Sequence, residues 1–371
     1  MKRFIDVKVP VETCNLRCHY CYIAQQHRFD KKLPKFKYSP EYIRKALSVD
    51  RLGGKAHINM CGGGETLLPK EMPQIICELL KEGHYIFVVT NGSVFKRFDE
   101  ILEIVPSSLL CHLGFKFSFH YLELKRLNLI DKYFENIRKV WNAGCSFSLE
   151  LTPTDELIPL IPEIKDVCMK NVGALCHISV ARDDRKVTVP ILTKLSRDEY
   201  LKIWGEFDSP FFDFKMSTFN VKRREFCYAG AWSGYLNLGT GDMCQCYSGR
   251  TQNIYTDISK PIDFKHCVGT NCKEAHCFNS HAFLTVGLIP ELETPVYAAM
   301  RNRITADGRE WLSPEMKEFL NHQLKEENTL YTAKEKKLYG NKKTYKDLFY
   351  FIKHNICRPV LYTFKKGNYN G

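Results

Sequence analysis

Short apolar runs alternate with amphipathic stretches along the first half of the chain. The apolar runs are rich in β-branched and aromatic residues, as buried parallel strands tend to be. They predict strands at 4–9, 56–60, 85–90, 113–119, 146–152 and 177–181. Apolar residues at helical spacing predict helices at 40–49, 70–82, 95–104, 131–143, 155–170 and 197–207. This alternation indicates βαβ units and a parallel α/β sheet, and it fits a barrel and a doubly wound open sheet equally well.

Composition indicates a cellular location and shows that charge is unevenly distributed along the chain. No apolar run has the length of a membrane span, and the N-terminus lacks the apolar core of a signal peptide, so we expect a cytoplasmic protein without a transmembrane segment. Disulfides rarely persist there, so clusters among the 16 Cys indicate metal binding or chemistry. The net charge is +12, and residues 331–371 carry ten Lys/Arg against two acidic residues. This basic tail is a solvated surface or attracts an anionic partner.

Three cysteines, Cys14, Cys18 and Cys21, lie within eight residues just after the first predicted strand. Four-iron clusters are normally closed by four thiolates, so three thiols leave one iron open, much as a catalytic zinc keeps an open position. A structural zinc site with His19 or His27 as fourth ligand is the alternative. Active sites of parallel-sheet folds gather at the C-terminal ends of strands, where this triad is expected.

The spacing of the triad, with Tyr20 before the last Cys, resembles the cluster motif of radical S-adenosylmethionine (SAM) enzymes. The resemblance implies a [4Fe–4S] cluster on these Cys, with SAM on the open iron. Reductive cleavage of SAM then gives a 5′-deoxyadenosyl radical that abstracts hydrogen from an unactivated C–H bond. It also implies a partial (β/α)6 TIM-like barrel over residues 1–210 and an electron donor such as flavodoxin or ferredoxin.

Further short motifs fit the SAM-binding pattern of that family. Gly63, Gly64 and Glu65 follow the second strand and resemble its Gly-Gly-Glu-Pro element, although Thr66 replaces the Pro. The resemblance implies as SAM contacts Gly63, Gly64, Glu65, Asn91, Ser118 and Arg182. The last three follow or end the third, fourth and sixth predicted strands. An ordinary Gly-rich loop, a tight turn and a surface ion pair are the alternatives, and Arg182 is also placed to contact an anionic substrate.

A second group of six cysteines occupies residues 227–277, and such clustering indicates a metal site. Its members are Cys227, Cys244, Cys246, Cys267, Cys272 and Cys277. The Cys227-x13-Gly241-x4-Cys246 spacing resembles the opening of SPASM and twitch extensions. That resemblance implies a Cys-rich β-hairpin/α extension over 211–285, with an auxiliary [4Fe–4S] cluster for electron transfer or substrate binding.

The ligand set of this second group is less regular than the family pattern. Two clusters would need seven or eight ligands, which six Cys supply only with help from His266, His276 or His281, so we expect one. We favour Cys227, Cys246, Cys272 and Cys277 as its ligands, with Cys267 as the competitor. A structural zinc on four of these thiols stays open. Residues 286–371 are expected to form a helical, basic C-terminal tail, with an amphipathic helix at 310–326.

The function implied is a radical SAM oxidoreductase or maturase acting on a peptide or on a sugar-like, anionic small molecule. Thirteen residues precede Cys14, so we expect any leader-binding domain to be a separate protein. No catalytic acid or base is assigned. The alternative from another class is a zinc-binding, basic protein that interacts with nucleic acid. We do not expect nucleic acid as a partner, because the basic residues crowd the tail instead of alternating with aromatics.

Overall fold

The computed structural model describes residues 1–30, 32–270 and 272–339. Most of the predicted basic tail, residues 340–371, lies outside the described residues. The strands are β1 (Arg3–Val9), β2 (Ala56–Gly62), β3 (Tyr85–Thr90), β4 (Leu113–Ser118), β5 (Ser146–Leu151), β6 (His177–Ile178), β7 (Ser233–Asn237), β8 (Asp242–Cys244) and β9 (Thr251–Asn253). Throughout these three ranges, no helix has the length and apolarity that spanning a membrane requires.

Twelve helices are bounded within the same residues. They are α1 (Tyr22–Gln25), α2 (Pro40–Ala46), α3 (Val49–Leu52), α4 (Met72–Lys81), α5 (Phe95–Ile104), α6 (Tyr121–Arg126), α7 (Ile130–Asn142), α8 (Ile161–Val172), α9 (Arg197–Gly205), α10 (Pro210–Thr218), α11 (Ser280–Phe283) and α12 (Pro314–Asn321). Four 3₁₀ turns lie at Ser107–His112, Asp155–Leu160, Ala298–Met300 and Leu324–Glu326.

All nine strands belong to one sheet, in the order β6-β5-β4-β3-β2-β1-β7-β8-β9. From β1 to β6 every neighbouring pair is parallel, and each strand is followed by at least one helix. A doubly wound sheet reverses its strand order at a switch point. Here the order from β1 to β6 follows the sequence without reversal, so the protein is α/β with a mainly parallel, singly wound sheet.

The hydrophobic pattern predicted all six N-terminal strands. Its errors are mainly in the boundaries of elements, at prolines and at strand ends. The predicted helix 155–170 begins as a 3₁₀ turn, and its α-helical part starts only at Ile161. Pro159 and Pro162 explain the delay, because proline lacks an N–H donor and tolerates only the first turn of an α-helix. The predicted sixth strand shortens to His177–Ile178. The chain then continues into an isolated bridge between Arg182 and Ile191.

The two faces of the sheet have different chemistry. The outer face, exemplified by Ile5 and Val7, packs against the helices in the main hydrophobic core. The inner face carries Phe4, Asp6 and Lys8 on β1, since successive side chains on a strand point to opposite sides. Polar inner-face residues on the neighbouring strands include His57, Asn59, Lys116, Ser148 and Glu150. A binding site is therefore expected on the inner face.

The segment after α11 covers the N-terminal half of the inner face. Tyr297 joins the buried cluster that contains Phe4 and Phe87, and its ring lies 4.8 Å from that of His57. Trp311 is fully buried and donates from Nε1 to the carbonyl of Val172 at 3.1 Å. The predicted helix 310–326 is shorter, Pro314–Asn321, with a 3₁₀ turn at Leu324–Glu326. Residues from 286 to 327 thus complete the core.

The predicted hairpin extends the same sheet. β7 is parallel to β1, with Phe4 opposite Ser233 and Lys8 opposite Asn237, and β8 returns antiparallel to β7. Gly241 ends the turn at φ +78°, and a Cβ there would lie 2.3 Å from the ring of Tyr255. The strand that precedes the first cysteine group is therefore hydrogen-bonded to the strand that precedes Cys244 and Cys246.

Candidate active site and second cysteine site

The cysteine triad lies in the loop that leaves β1 at its C-terminal end. The pKa of Cys14 is raised to about 11, mainly by burial, and the neighbouring Glu65 and Cys21 act in the same direction. Burial is also the main reason why the pKa of Cys18 is raised, and Cys21 and Cys14 add to it. The three sulfurs are thus close enough to oppose one another's ionisation. Three thiolates packed this way need positive charge among them, which suits a metal cluster that shares them.

The glycine loop packs against the segment that leads into the triad. Gly64 donates its backbone N–H to the Val11 carbonyl at 2.7 Å, and Glu65 donates to the Thr13 carbonyl at 2.9 Å. A Cβ on Gly64 would lie 1.9 Å from the Thr13 carbonyl oxygen. The absence of a side chain at Gly64 is therefore needed for the protein's own packing, whatever else binds there.

The Glu65 carboxylate joins the glycine loop to the loop after β3 by hydrogen bonds. It accepts hydrogen bonds from the Thr90 hydroxyl at 2.7 Å, the Asn91 N–H at 2.7 Å and the Leu67 N–H at 3.0 Å. Burial raises the pKa of Glu65, and these donors oppose the shift. Thr66, which replaces the family proline, accepts from the Gly62 N–H at 3.0 Å. Its hydroxyl holds the loop by a hydrogen bond that proline lacks.

Asn91 and Ser118 lie at the same edge of the sheet. The Asn91 side chain is buried and donates to Asn15 Oδ1 at 2.9 Å and to Cys14 Sγ at 3.6 Å, within reach of a weak sulfur contact. Ser118 ends β4 opposite Glu150 on β5. Of the two, Asn91 is in direct contact with the triad loop.

Arg182 also lies beside the triad loop. Its carbonyl accepts from Gln25 Nε2 at 2.8 Å, and its guanidinium is 3.7 Å from Asp184 Oδ1. Burial raises the pKa of Cys21, whereas the Arg182 charge acts to lower it. The structure thus gathers Gly63, Gly64, Glu65, Asn91 and Arg182 around the triad loop.

Two tyrosines at this edge make contacts that the sequence did not indicate. The Tyr20 hydroxyl and His120 Nδ1 are 2.6 Å apart, and burial lowers the pKa of His120 to about 4. The Tyr22 hydroxyl donates to the Gly63 carbonyl at 3.3 Å. The only sequence signal for these tyrosines was their position beside Cys21, which does not specify a partner.

Two groups near the inner face are accessible to water. Cys61 is exposed and Tyr247 is 37% exposed. Surrounding protein nevertheless desolvates both, raising the pKa of Cys61 to about 11 and that of Tyr247 well above its usual value. Asp6 lies beside Tyr247, accepting from Asn59 Nδ2 at 2.7 Å and from the Tyr247 hydroxyl at 3.1 Å.

Four cysteines of the second group converge. Burial raises the pKa of Cys246, and Cys227, Cys277 and Cys272 act on it further. Cys227 and Cys272 likewise act on Cys277. Cys244 instead lies 3.1 Å from the Thr251 hydroxyl. The four converging thiols line a cavity of about 1030 Å³, whose wall also includes Cys267.

The spacing of these sulfurs tests which metal group fits. Zinc requires its ligand sulfurs about 2.3 Å from one point. In the part of the chain that the structure describes, no three His, Cys, Asp or Glu converge closely enough to hold a single metal ion. A four-iron cluster distributes its ligands over separate irons. Cys14, Cys18 and Cys21 likewise do not converge on a single point in the described residues, so this finding does not separate zinc from a four-iron cluster at the second site.

The two cysteine sites lie toward opposite ends of the inner face. The triad follows the C-terminal end of β1, whereas β8 runs antiparallel and carries the chain back toward the N-terminal end of β7. Cys246 lies beyond Cys244, which is already opposite the middle residue of β7, Tyr235. Asp6 and Tyr247 therefore lie between the sites.

Comparison with known proteins identifies the N-terminal region. Residues 9–149 match the family model of the Radical SAM superfamily, and they include the triad, the glycine loop, Asn91 and Ser118. No curated protein matches the chain. The match gives no support to the nucleic-acid-binding alternative.

Solved structures similar to the chain include three proteins with bound S-adenosylmethionine (AdoMet). SuiB of Streptococcus suis bound to S-adenosylmethionine has a TM-score of 0.47 and 14% identity over 70% of this chain and 65% of its own. anSMEcpe with bound AdoMet has 0.48 and 13% over 70% and 80%. BtrN with AdoMet and 2-DOIA has 0.35 and 14% over 70% and 75%. This chain spans less than two thirds of SuiB. On the family match, the chain contains a radical SAM domain over residues 9–149.

Proposed function

We propose that the protein is a radical SAM oxidoreductase with one auxiliary cluster. The observation that carries the proposal is the mutual proximity of Cys14, Cys18 and Cys21 inside the matched domain, at the C-terminal edge of the sheet. These thiolates would hold a [4Fe–4S] cluster. When bound, cluster and SAM supply a reductively generated radical that removes hydrogen from an unactivated C–H bond. We assign β1–β6 and their helices to a partial (β/α)6 barrel, residues 1–210.

The surrounding residues have positioning roles in this proposal. Backbone hydrogen bonds from Leu16 to Cys14 and from Ile23 and Ala24 to Cys21 favour the thiolate forms. Glu65 fixes the glycine loop against the triad loop, so that backbone groups of Gly63 and Gly64 present a constant surface to SAM. Asn91, Ser118 and Arg182 complete the proposed SAM contacts. Arg182 supplies the positive charge that a carboxylate would seek.

We assign residues 211–285 to an extension of the SPASM or twitch kind, with a second [4Fe–4S] cluster on Cys227, Cys246, Cys272 and Cys277. The influence of Cys227, Cys272 and Cys277 on the pKa of Cys246 supports this ligand set, and Cys267, which lines the same cavity, is the competitor. Their position across the inner face from the triad suits transfer of an electron from a substrate radical held between the sites. The protein supplies orientation and excludes water, while the cofactors carry the chemistry.

The substrate class within this proposal is a peptide or an anionic small molecule. One SuiB structure contains the precursor peptide SuiA, and one anSMEcpe structure contains the Cp18Cys peptide. Those ligands belong to those proteins, and for this chain a peptide is one candidate. A cytoplasmic location and a flavodoxin or ferredoxin as electron donor complete the proposal.

Anaerobic reconstitution of the full chain with iron and sulfide tests the assignment. We expect about eight irons per chain, as two four-iron clusters require, and release of 5′-deoxyadenosine from SAM under dithionite. Replacing Cys14, Cys18 and Cys21 together by Ala is expected to remove about four irons and all 5′-deoxyadenosine. Bound zinc without SAM cleavage by the unmodified chain would overturn the proposal.

A further inference from the structure

Four cations lie close together on the inner face, behind the proposed SAM site. Lys215 on α10 is only 5% exposed, and its ammonium donates to the Ser179 hydroxyl at 3.2 Å. Arg182 and Lys116 are near enough that their charges lower the pKa of Lys215 further, beyond the larger effect of burial. Arg301, 1% exposed, acts in the same way on Lys116. Like charges this close destabilise one another unless an anion lies among them.

The carboxylates nearby are largely engaged elsewhere. Glu150 forms an ion pair with Arg301 and lies 3.6 Å from Lys116. Both oxygens of Asp6 accept hydrogen bonds from neutral groups, Asn59 and Tyr247. Asp184 favours the charged form of Lys215, but less strongly than Arg182 and Lys116 oppose it. Lys215 is therefore a buried amine whose charged form is incompletely compensated by protein.

Two buried histidines beside these cations also have unused hydrogen-bonding atoms. His276 is 2% exposed, and neither of its ring nitrogens has a partner among the described residues. His281 is 5% exposed, and its Nδ1 is likewise unpartnered there. The Lys215 charge acts on both rings. Buried polar groups normally find partners, so these ring nitrogens are available to hydrogen-bond a polar ligand.

We propose that Lys215 and Lys116, with His276 and His281, bind an anionic group of the substrate, a carboxylate or a phosphate. This inference rests on the proposed function, because it takes the inner face as the substrate site. Lysine and arginine are the side chains that bind such groups by charge-assisted hydrogen bonds. His276 lines the cavity of the second cysteine site, and Arg182 lies beside the triad. A substrate anchored here would extend between the two cysteine sites.

Lys215→Met tests the proposal, because it removes the charge and retains most of the apolar stem. The full reconstituted chain is titrated with sulfate and with inorganic phosphate, and thermal unfolding is followed with and without each anion. Lys170→Met, an exposed position on α8, is the matched control. We expect both anions to bind the unmodified protein and the control equally, and Lys215→Met at least ten-fold more weakly.

Stability without the anion separates a binding role from a structural one. A buried cation awaiting a ligand destabilises the free protein, so Lys215→Met is expected to unfold at a higher temperature than the unmodified chain. Unchanged anion affinity, or a lower unfolding temperature with unchanged anion stabilisation, would overturn the proposal. Should Lys215→Met fail to fold, Lys116→Met takes its place with the same expectation for anion affinity.

SAM itself carries a carboxylate. Measuring SAM binding therefore shows whether the bound anion represents the carboxylate of SAM or a group of the substrate. We expect Lys215→Met to bind SAM with unchanged affinity, measured by equilibrium dialysis. A parallel loss of SAM and sulfate affinity would show that the anion is that of SAM, which overturns the substrate proposal and leaves the radical SAM function standing. Failure of the unmodified chain to cleave SAM, with sulfate binding intact, would instead contradict the proposed function.

Discussion

The two cysteine sites are built in opposite ways. The triad draws its thiols from eight consecutive residues in one loop, whereas the second site draws four thiols from a segment of 51 residues. The first depends on the βα loops that press on it, through Gly64, Glu65 and Asn91. The second depends on the return of β8 along β7 and on the loop that carries Cys272 and Cys277. A local motif can therefore be read residue by residue, whereas a dispersed one becomes a site only through chain topology.

Removing one thiol from the second site tests whether the two cysteine sites are held independently, and we expect it to have the largest effect. Cys246→Ala is expected to lose about four of about eight irons and to retain 5′-deoxyadenosine formation, because the triad is held by other elements. Iron analysis of anaerobically reconstituted protein measures both clusters. Cys244→Ala, beside Thr251, is the matched control and should keep all iron. Loss of iron in Cys267→Ala instead of Cys246→Ala would replace the proposed ligand set.

A methyl group in the glycine loop should damage the triad alone. In Gly64→Ala the new Cβ would meet the Thr13 carbonyl oxygen at 1.9 Å, a backbone atom that cannot rotate away. Overpacking of this kind destabilises by about 1–3 kcal/mol or more, and here it displaces the segment leading to Cys14. We expect weaker SAM binding and iron loss confined to the triad.

Gly205→Ala is the control for that substitution. A Cβ on Gly205 meets nothing within 4 Å, and the residue ends α9, where alanine suits a helix better than glycine. Its free energy of unfolding should stay the same or rise slightly. Equal behaviour of the two alanine variants would show that the glycine loop does not support the triad.

Removing the charge of Glu65 tests the same packing of the glycine loop on the triad loop, and we expect a smaller effect. In Glu65→Gln an amide NH₂ replaces one carboxylate oxygen, although the backbone N–H groups of Leu67 and Asn91 and the Thr90 hydroxyl all need acceptors. Leaving one buried donor unsatisfied costs about 1–3 kcal/mol. Denaturant unfolding measures this loss. Glu163→Gln, whose pair with Lys125 is exposed, should cost about 0–1 kcal/mol, and a similar cost at both positions would contradict the role assigned to Glu65.

The limits of sequence reasoning follow the same division between local and dispersed features. Strands with a continuous apolar pattern were predicted closely, and 85–90 and 95–104 match β3 and α5 at both ends. Phe4, Asp6 and Lys8 share a face by strand alternation alone. Nothing in the sequence, however, indicates that Tyr247 reaches Asp6 across 241 positions or that Lys215 and Arg182 approach Lys116. Such contacts depend on how distant segments pack, and they carry no local signal.

The proposed anion site lies between the triad and the second cysteine site. Its pH dependence is the smallest effect that we expect. Burial, with Arg301 next in effect, lowers the pKa of Lys116 to about 7. Its charge is present below that pH and is lost above it. The charged or titratable groups that face it are Arg301, Cys61, Asp6, Arg182, Glu150, Lys215 and His281.

Sulfate keeps its own charge through this range, so a change in its affinity reports on the protein. Because Lys116 loses its charge as the pH rises through about 7, we expect sulfate affinity to fall several-fold between pH 6 and 8, measured by titration calorimetry. Lys116→Met should bind more weakly at pH 6 and show a flatter profile. An affinity that rises with pH, or a profile unchanged in Lys116→Met, would contradict the role of Lys116 in the anion site.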